Sequence, residues 1–228
     1  SCFVLGNLYQ PVHAGEIQNK GLGMDVCVFN EKGKSILNQK GELVCINPFP
    51  SMPIKFWNDP ENEKYKSAYF NIFEGVWRHG DWAKITERGT IVIFGRSDTT
   101  LNPGGVRIGT AEIYRQVEQL EEINESIAIG QNWKGDTRVI LFLKLQPGFK
   151  LDLETRDKII RKIKTNLSPR HIPAKIITVD DIPRTRSGKI TELAVRDIVH
   201  NKEIKNKEAL ANPEALNYFK NLAELQKD

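Results

Sequence analysis

The sequence predicts an α+β protein, a small antiparallel, barrel-like β subdomain followed by a compact α+β domain. Three observations lead there. Up to about residue 95, short apolar runs alternate with turn signals at the spacing of a small antiparallel sheet or barrel. From Gly95 to Gly109 the chain becomes polar and glycine-rich. Beyond it, helical and strand periodicities alternate. A chain of 228 residues with 39% hydrophobic content can bury a substantial core in one or two domains. The boundary is expected at the polar stretch, giving domains 1–97 and 98–228.

In chain order, Met24 to Phe29 and Glu42 to Ile46 are predicted strands, parted by the Glu31-Lys32-Gly33 turn and followed by a Pro48-Phe49-Pro50 loop. Asp59 is expected to cap a helix from Glu61 to about Ala68, with Pro60 in its first turn. Strands resume over 76–79, 82–86 and 90–94. Thr110 is expected to cap a helix whose Ile113, Val117 and Leu120 share one face. Strands over 126–129 and 138–145 are joined through Gly135-Asp136. A second helix starts near Asp152 with Ile159, Ile163 and Leu167 on one stripe. A strand over 175–179, a basic loop over 183–189 and a helix from Thr191 follow. Asn212 and Pro213 open a predicted terminal helix, with Leu216, Phe219 and Leu222 at three-residue steps.

Thirty-three basic and twenty-nine acidic residues leave a net charge of +4, spread along the chain. Bulk charge therefore gives no argument for a nucleic-acid partner. Cys2, Cys27 and Cys45 form no Cys-x-x-Cys pair and fit a reducing compartment. No apolar run approaches the roughly 20 residues a bilayer span needs, so no membrane partner is expected and a cytoplasmic location is. The start at Ser1 without a methionine leads us to expect a longer parent chain.

Several familiar motifs fail on inspection. Ser187-Gly188-Lys189 lacks the glycine five residues before Gly188 and the hydroxyl residue after the lysine that a P-loop requires. Gly21-Leu22-Gly23 has Val26 where a dinucleotide fingerprint needs its third glycine. There is no Gly-x-Ser-x-Gly elbow, and the four histidines are too scattered for a helical metal pair.

Three segments remain. In His79-Gly80-Asp81-Trp82 an acidic residue follows glycine between two predicted strands. Such an Asp is ordinarily a turn former, but its carboxylate can also accept both hydroxyls of a ribose diol. The stretch from Gly95 to Gly109 reads as a plain linker, except that arginines bracket it and Gly104-Gly105 permits close approach of backbone to a ligand. It also suits a hinge. The third segment, Ile182 to Ile190, would ordinarily be a solvated basic loop, yet Pro183 and its apolar flanks suggest a held loop presenting cations.

Together and in this order, the three segments resemble the adenylate-forming superfamily of acyl-CoA synthetases, peptide-synthetase adenylation domains and luciferases. Pro48-Phe49-Pro50-Ser51-Met52-Pro53, Phe56-Trp57-Asn58-Asp59-Pro60, the Gly95 to Tyr114 stretch and Leu167-Ser168-Pro169-Arg170-His171 are most similar to its acetoacetyl-CoA synthetase branch. The likeness extends to about Ile198. The superfamily's Ser/Thr/Gly-rich phosphate loop and its Thr-Glu or Thr-Asp nucleotide motif would lie ahead of Ser1. The lysine loop, Thr185 to Ile190, reads as in acetyl-CoA synthetases, which leaves acetyl-, propionyl- and other acyl-CoA synthetases as alternatives.

The resemblance implies an acid–thiol ligase that joins acetoacetate, or another short carboxylate, to ATP and passes the acyl group to coenzyme A. It implies Lys189 as the catalytic lysine of adenylate formation. Asp81, Arg96 and Arg107 would bind nucleotide, and Asp98 would be the pivot of a mobile C-terminal domain. Gly104, Gly105 and Lys164 would bind CoA, Lys164 being otherwise an ordinary solvated helix position. ATP or AMP, Mg²⁺ and coenzyme A are the implied cofactors, and the N-terminal half of the same enzyme is the implied partner. By itself the chain is expected to fold and to catalyse little. An enzyme that loads a carrier protein would need no basic phosphate site. A non-catalytic nucleotide- or nucleic-acid-binding module would bind oligonucleotides in a salt-dependent way without responding to ATP or CoA.

Overall fold

A computed structural model describes residues 2–204 and 207–228. The fold divides into two compact units, Ser1–Ser97 and Asp98–Asp228.

The first unit is built on antiparallel strands. β1 (Val4–Leu5) pairs with β2 (Asn19–Lys20). β3 (Val26–Phe29), β4 (Gly41–Cys45), β5 (Trp77–Ile85) and β6 (Ile91–Arg96) form a four-stranded sheet in sequence order. Its core takes Val26, Val28, Leu43, Cys45, Trp77, Ala83, Ile85 and Ile91 on one face, while Phe29, Val44 and Phe73 cluster on the other.

The expected barrel-like closure does not occur among the described residues, because β3 and β6 stay as the sheet's edges. The predicted break between residues 79 and 82 is also absent. The chain runs as one nine-residue strand, in which Gly80 has φ +88° and a bulge falls between Trp82 and Ala83. A bulge re-aims a side chain without ending the strand.

Helix α1 (Glu63–Tyr69) starts two residues later than expected. The Asp59 carboxylate still serves its first turn, accepting the N–H groups of Lys64 at 3.1 Å and Tyr65 at 2.9 Å.

In the second unit, α2 (Thr110–Val117), β7 (Ile123–Trp133), β8 (Asp136–Leu145), α3 (Leu153–Asn166), β9 (Lys175–Thr178) and α4 (Glu192–Val199) follow in order. β7 and β8 are antiparallel, whereas β9 joins β8 in parallel across the α3 connection, as parallel pairing requires. Both faces of this sheet are covered. Val139, Leu141 and Leu143 pack with Ile113 and Val117 of α2 and Ile159 and Ile163 of α3. Ile140 and Phe142 face Val195 of α4 and Phe219. That is why β8 reads as a continuous apolar run rather than an alternation.

Three local expectations are corrected. Gly109, not Thr110, is the cap residue of α2, its N–H bonded by Glu112 at 2.9 Å. The β7–β8 turn is Lys134-Gly135, both at positive φ as a tight two-residue hairpin requires, so Asp136 becomes the first residue of β8. The terminal helix is instead two 3₁₀ segments, Pro213–Phe219 and Ala223–Gln226, with Asn221 at φ +50° between them. The three-residue step from Leu216 to Phe219 fits this winding, since a 3₁₀ helix turns once every three residues, whereas Leu222 lies between the two segments.

Candidate functional site

Asp81 lies on β5, where strand pairing sets it opposite Arg96 of β6. Its carboxylate bonds His79 Nδ1, and Arg96 Nη1 reaches the His79 carbonyl at 3.4 Å. Gly80 makes this packing possible, because a Cβ at that position would meet Arg96 Nη2 at 2.9 Å. Beneath it, buried Glu42 accepts the Gly80 N–H at 3.1 Å and the Ser97 hydroxyl at 3.0 Å. Ser97 N–H in turn donates to the Gly80 carbonyl at 2.9 Å. Burial pushes the Glu42 carboxyl above the usual carboxylate range, opposed by the Ser97 bond and the charge of Arg78.

In the second unit, Arg196 of α4 donates to the Asp98 carbonyl at 3.2 Å. The polar stretch is folded rather than trailing. Leu101 and Ile108, both fully buried, bridge to each other and close the Gly104-Gly105 segment into a small loop. The Gly104 N–H reaches both carboxylate oxygens of Asp136, at 3.1 and 3.0 Å. Hydrogen bonds from Thr137 and Gly104, helped by the charge of Arg170, hold that carboxyl below its usual range. A Cβ on Gly104 would meet Arg170 Nη1 at 2.3 Å. Both glycines have positive φ, and Arg107 is exposed on the same loop. Behind α2, Glu192 accepts the hydroxyls of Tyr114 at 3.2 Å and Thr110 at 3.3 Å. Burial pushes the Glu192 carboxyl up and the Tyr114 hydroxyl well above its ordinary value.

Lys189 sits on a hairpin between Arg184 and Ile190, which bridge to each other. Thr185 N–H donates to the Lys189 carbonyl, and Gly188 N–H to the Thr185 carbonyl, each at 2.8 Å. Gly188 takes φ +80°, which glycine tolerates at the turn. Arg184 anchors the loop by an ion pair with Glu125 of β7. The Lys189 side chain is exposed, and its ammonium has no ion-pair partner among the described residues. Lys164 is exposed in the last turn of α3 and bonds to none of these groups.

Asp81 and Arg96 are thus adjacent, and Gly104, Gly105 and Arg107 share one loop. Lys164 and Lys189 stand on other elements of their unit. Among the described residues, no group of three or more His, Cys, Asp and Glu side chains is placed to hold a metal ion. No helix of the described residues is long and apolar enough to cross a membrane. Sequence reasoning gives Glu42, Asp136, Arg170 and Asn212 no role at a site. Of these, only the Gly41-Glu42 step, a charged residue inside an apolar strand, carried a local signal.

Residues 115–189 match the family described as "AMP-binding enzyme C-terminal domain". The chain is 60% identical to the acetoacetyl-coenzyme A synthetase of Rhizobium meliloti (strain 1021) over 226 residues, covering 99% of this chain and 35% of that protein. That relative and the family match agree on the same region of the chain. The acetoacetyl-CoA synthetase of Xenopus tropicalis is 47% identical over 228 residues, 99% of this chain and 34% of its own length. The solved acetoacetyl-CoA synthetase from Streptomyces lividans superposes with a TM-score of 0.92 at 43% identity, covering 100% of this chain and 35% of that one. The chain therefore spans about a third of the length of these relatives.

Proposed function

We propose that this chain supplies the C-terminal third of an acid–thiol ligase that joins acetoacetate to coenzyme A through acetoacetyl-AMP. The 60% identity over 99% of the chain to an acetoacetyl-CoA synthetase carries this reading. Residues 1–97 would belong to the nucleotide-holding body, and residues 98–228 would form a domain that moves about Asp98.

In the first step a carboxylate oxygen of acetoacetate attacks the α-phosphorus of ATP, the bond to the bridging oxygen breaks, and pyrophosphate leaves. Two anions must approach each other. An ammonium fixed between them stabilises the charge that builds up, with no proton transfer required. Lys189 suits this task because its hairpin is braced while its exposed ammonium has no ion-pair partner among the described residues. Asp81, beside Arg96, would accept the ribose hydroxyls.

In the second step the CoA sulfur, having given up its proton, attacks the acyl carbon and AMP leaves. The Gly104-Gly105 loop, with no side chains to fill the space, would line the pantetheine channel, with Arg107 near phosphate and Lys164 near the nucleotide end of CoA. Mg²⁺, when bound, would neutralise ATP phosphates. Among the described residues no group of three or more His, Cys, Asp and Glu side chains is placed to hold it.

The test is a division of labour in the full-length enzyme. Lys189→Ala should sharply lower acetoacetate-dependent ATP–pyrophosphate exchange yet leave thioester formation from supplied acetoacetyl-AMP intact. Equal loss of both half-reactions would overturn the assignment. Faster exchange with acetate than with acetoacetate would transfer the substrate to a shorter acid.

A further inference from the structure

The lysine hairpin is not held by its own residues alone. After Ile204 the chain returns alongside it, and Leu210 bridges to Thr185. Ala211 N–H donates to the Arg184 carbonyl at 2.8 Å, and Arg186 N–H donates to the Ala209 carbonyl at 3.1 Å. The hairpin thus gains a third strand from a segment more than 20 residues away. The returning segment is itself anchored, since Leu210, Ala215 and Leu216 are buried.

Asn212 ends this strand. It precedes Pro213 at the start of a 3₁₀ helix, a place where an Asn side chain ordinarily caps the helix, yet it makes no cap hydrogen bond. Its side chain turns to the loop instead. Oδ1 accepts the Arg184 N–H at 2.8 Å, and Nδ2 donates to Asp181 Oδ2 at 2.6 Å and to the Ile182 carbonyl at 3.0 Å. One amide therefore fixes residues 181, 182 and 184, the root from which the Lys189 hairpin springs. Asp181 passes the constraint to the sheet, because it also accepts Lys144 Nζ of β8 at 2.7 Å. Burial pulls the Asp181 carboxyl upward, but the bonds from Lys144 and Asn212 outweigh it and hold the group ionised.

We propose that Asn212 is a positioning residue for adenylate formation, acting by clamping the root of the Lys189 hairpin. This rests on the reading of Lys189 given above. A lysine on a five-residue turn that must place its ammonium between two phosphate and carboxylate oxygens tolerates little drift, since displacements of about 1 Å can cost on the order of a hundredfold in rate. Asn212 touches no reacting atom. Removing it should loosen the hairpin without unfolding the unit, whose sheet core lies elsewhere.

The test uses the full-length enzyme with Asn212→Ala. The expected result is a fall in the adenylation kcat of roughly ten- to a hundredfold, with thioester formation from supplied acyl-adenylate within about twofold of the parent. Backbone amide exchange at Gly188 and Lys189 should quicken at least tenfold. Should Asn212→Ala not fold, Asn212→Asp is read the same way. It keeps the bond from Arg184, loses both donated bonds, and sets a second carboxylate against Asp181. Adenylation unchanged, or both half-reactions falling together, would overturn the proposal. Lys189→Ala, run in parallel, separates the two readings. If that variant forms adenylate at the parent rate, the role of Lys189 fails, whereas amide exchange continues to report on the clamp.

Discussion

Asp81 and Lys189 are the two residues on which the proposed chemistry leans most, and they are held in opposite ways. Asp81 is fixed by a sheet. Its backbone is paired on β5, its register sets it opposite Arg96, and buried Glu42 fastens the adjoining Gly80. Lys189 stands on a short hairpin whose stiffness comes from an ion pair to Glu125, from its own cross-turn bonds and from a strand that returns more than 20 residues later. A ligand-holding group gains from the first arrangement, because a diol needs one fixed acceptor. A group proposed to act in one half-reaction and to leave for the other would need the second, a rigid tip on a movable piece.

The largest expected effect breaks the comparison at the hairpin. Lys189→Ala removes one preorganised cation from a charge-building step, so adenylation should fall on the order of a hundred- to a thousandfold, as removal of a single preorganised hydrogen-bond donor does elsewhere. ATP–pyrophosphate exchange measures it, and thermal unfolding should be unaltered, since the side chain is exposed and has no ion-pair partner among the described residues. A matching drop in melting temperature would show that Lys189 braces the loop rather than serves it.

A smaller effect is expected on the sheet side. Gly80→Ala forces a side chain into φ +88° and drives its Cβ to 2.9 Å from the Arg96 guanidinium. The backbone term alone costs about 1–2 kcal/mol. Arg96 can swing aside, so the unit should still fold, with lower stability in denaturant and a raised KM for ATP at little change in kcat. A fall in kcat with unchanged KM would mean that the Asp81–Arg96 pair does not hold the nucleotide.

These two regions were not equally legible in the sequence. Gly80-Asp81 and Arg96 stand out in their own short segments, although strand pairing, which makes them neighbours, cannot be read from either segment alone. The helix stripes of Ile113 and Val117, and of Ile159 and Ile163, were equally plain, because 3.6-residue periodicity is local. Lys189 was visible only as part of a motif, and what holds it was hidden. Asn212 looked like the start of a helix, since Asn-Pro is a helix-opening pair, and nothing nearby signals that its amide serves a loop far back in the chain. Closure of a sheet is likewise a long-range property, so short strands and turns fitted an open sheet as well as a barrel. The three-residue step from Leu216 to Phe219 is a local cue that fits the turn of a 3₁₀ helix better than that of an α-helix.

The smallest effect sharpens the comparison by asking what Glu42 contributes to the sheet side. Its carboxyl is raised by burial, so the folded state holds the proton to a higher pH than the unfolded chain does. A group shifted in that direction favours folding fully below its unfolded pKa, and the contribution is lost as pH rises through the folded pKa. At neutral pH the ionised, buried carboxylate therefore works against the fold, even though it accepts two hydrogen bonds. Glu42→Gln keeps an acceptor oxygen for the Gly80 N–H and the Ser97 hydroxyl while removing the charge. The variant should be slightly more stable than the parent at pH 8, with the difference shrinking as the pH is lowered toward 4, in chemical denaturation followed at both values. Glu42→Ala, which leaves the Gly80 N–H without its partner, should be less stable than both at either pH. If Glu42→Gln is instead the less stable at pH 8, the ionised carboxylate is what binds Gly80 and Ser97 together, with Arg78 offsetting the cost of its burial, and the sheet side depends on a charge just as the hairpin side does through Arg184 and Glu125.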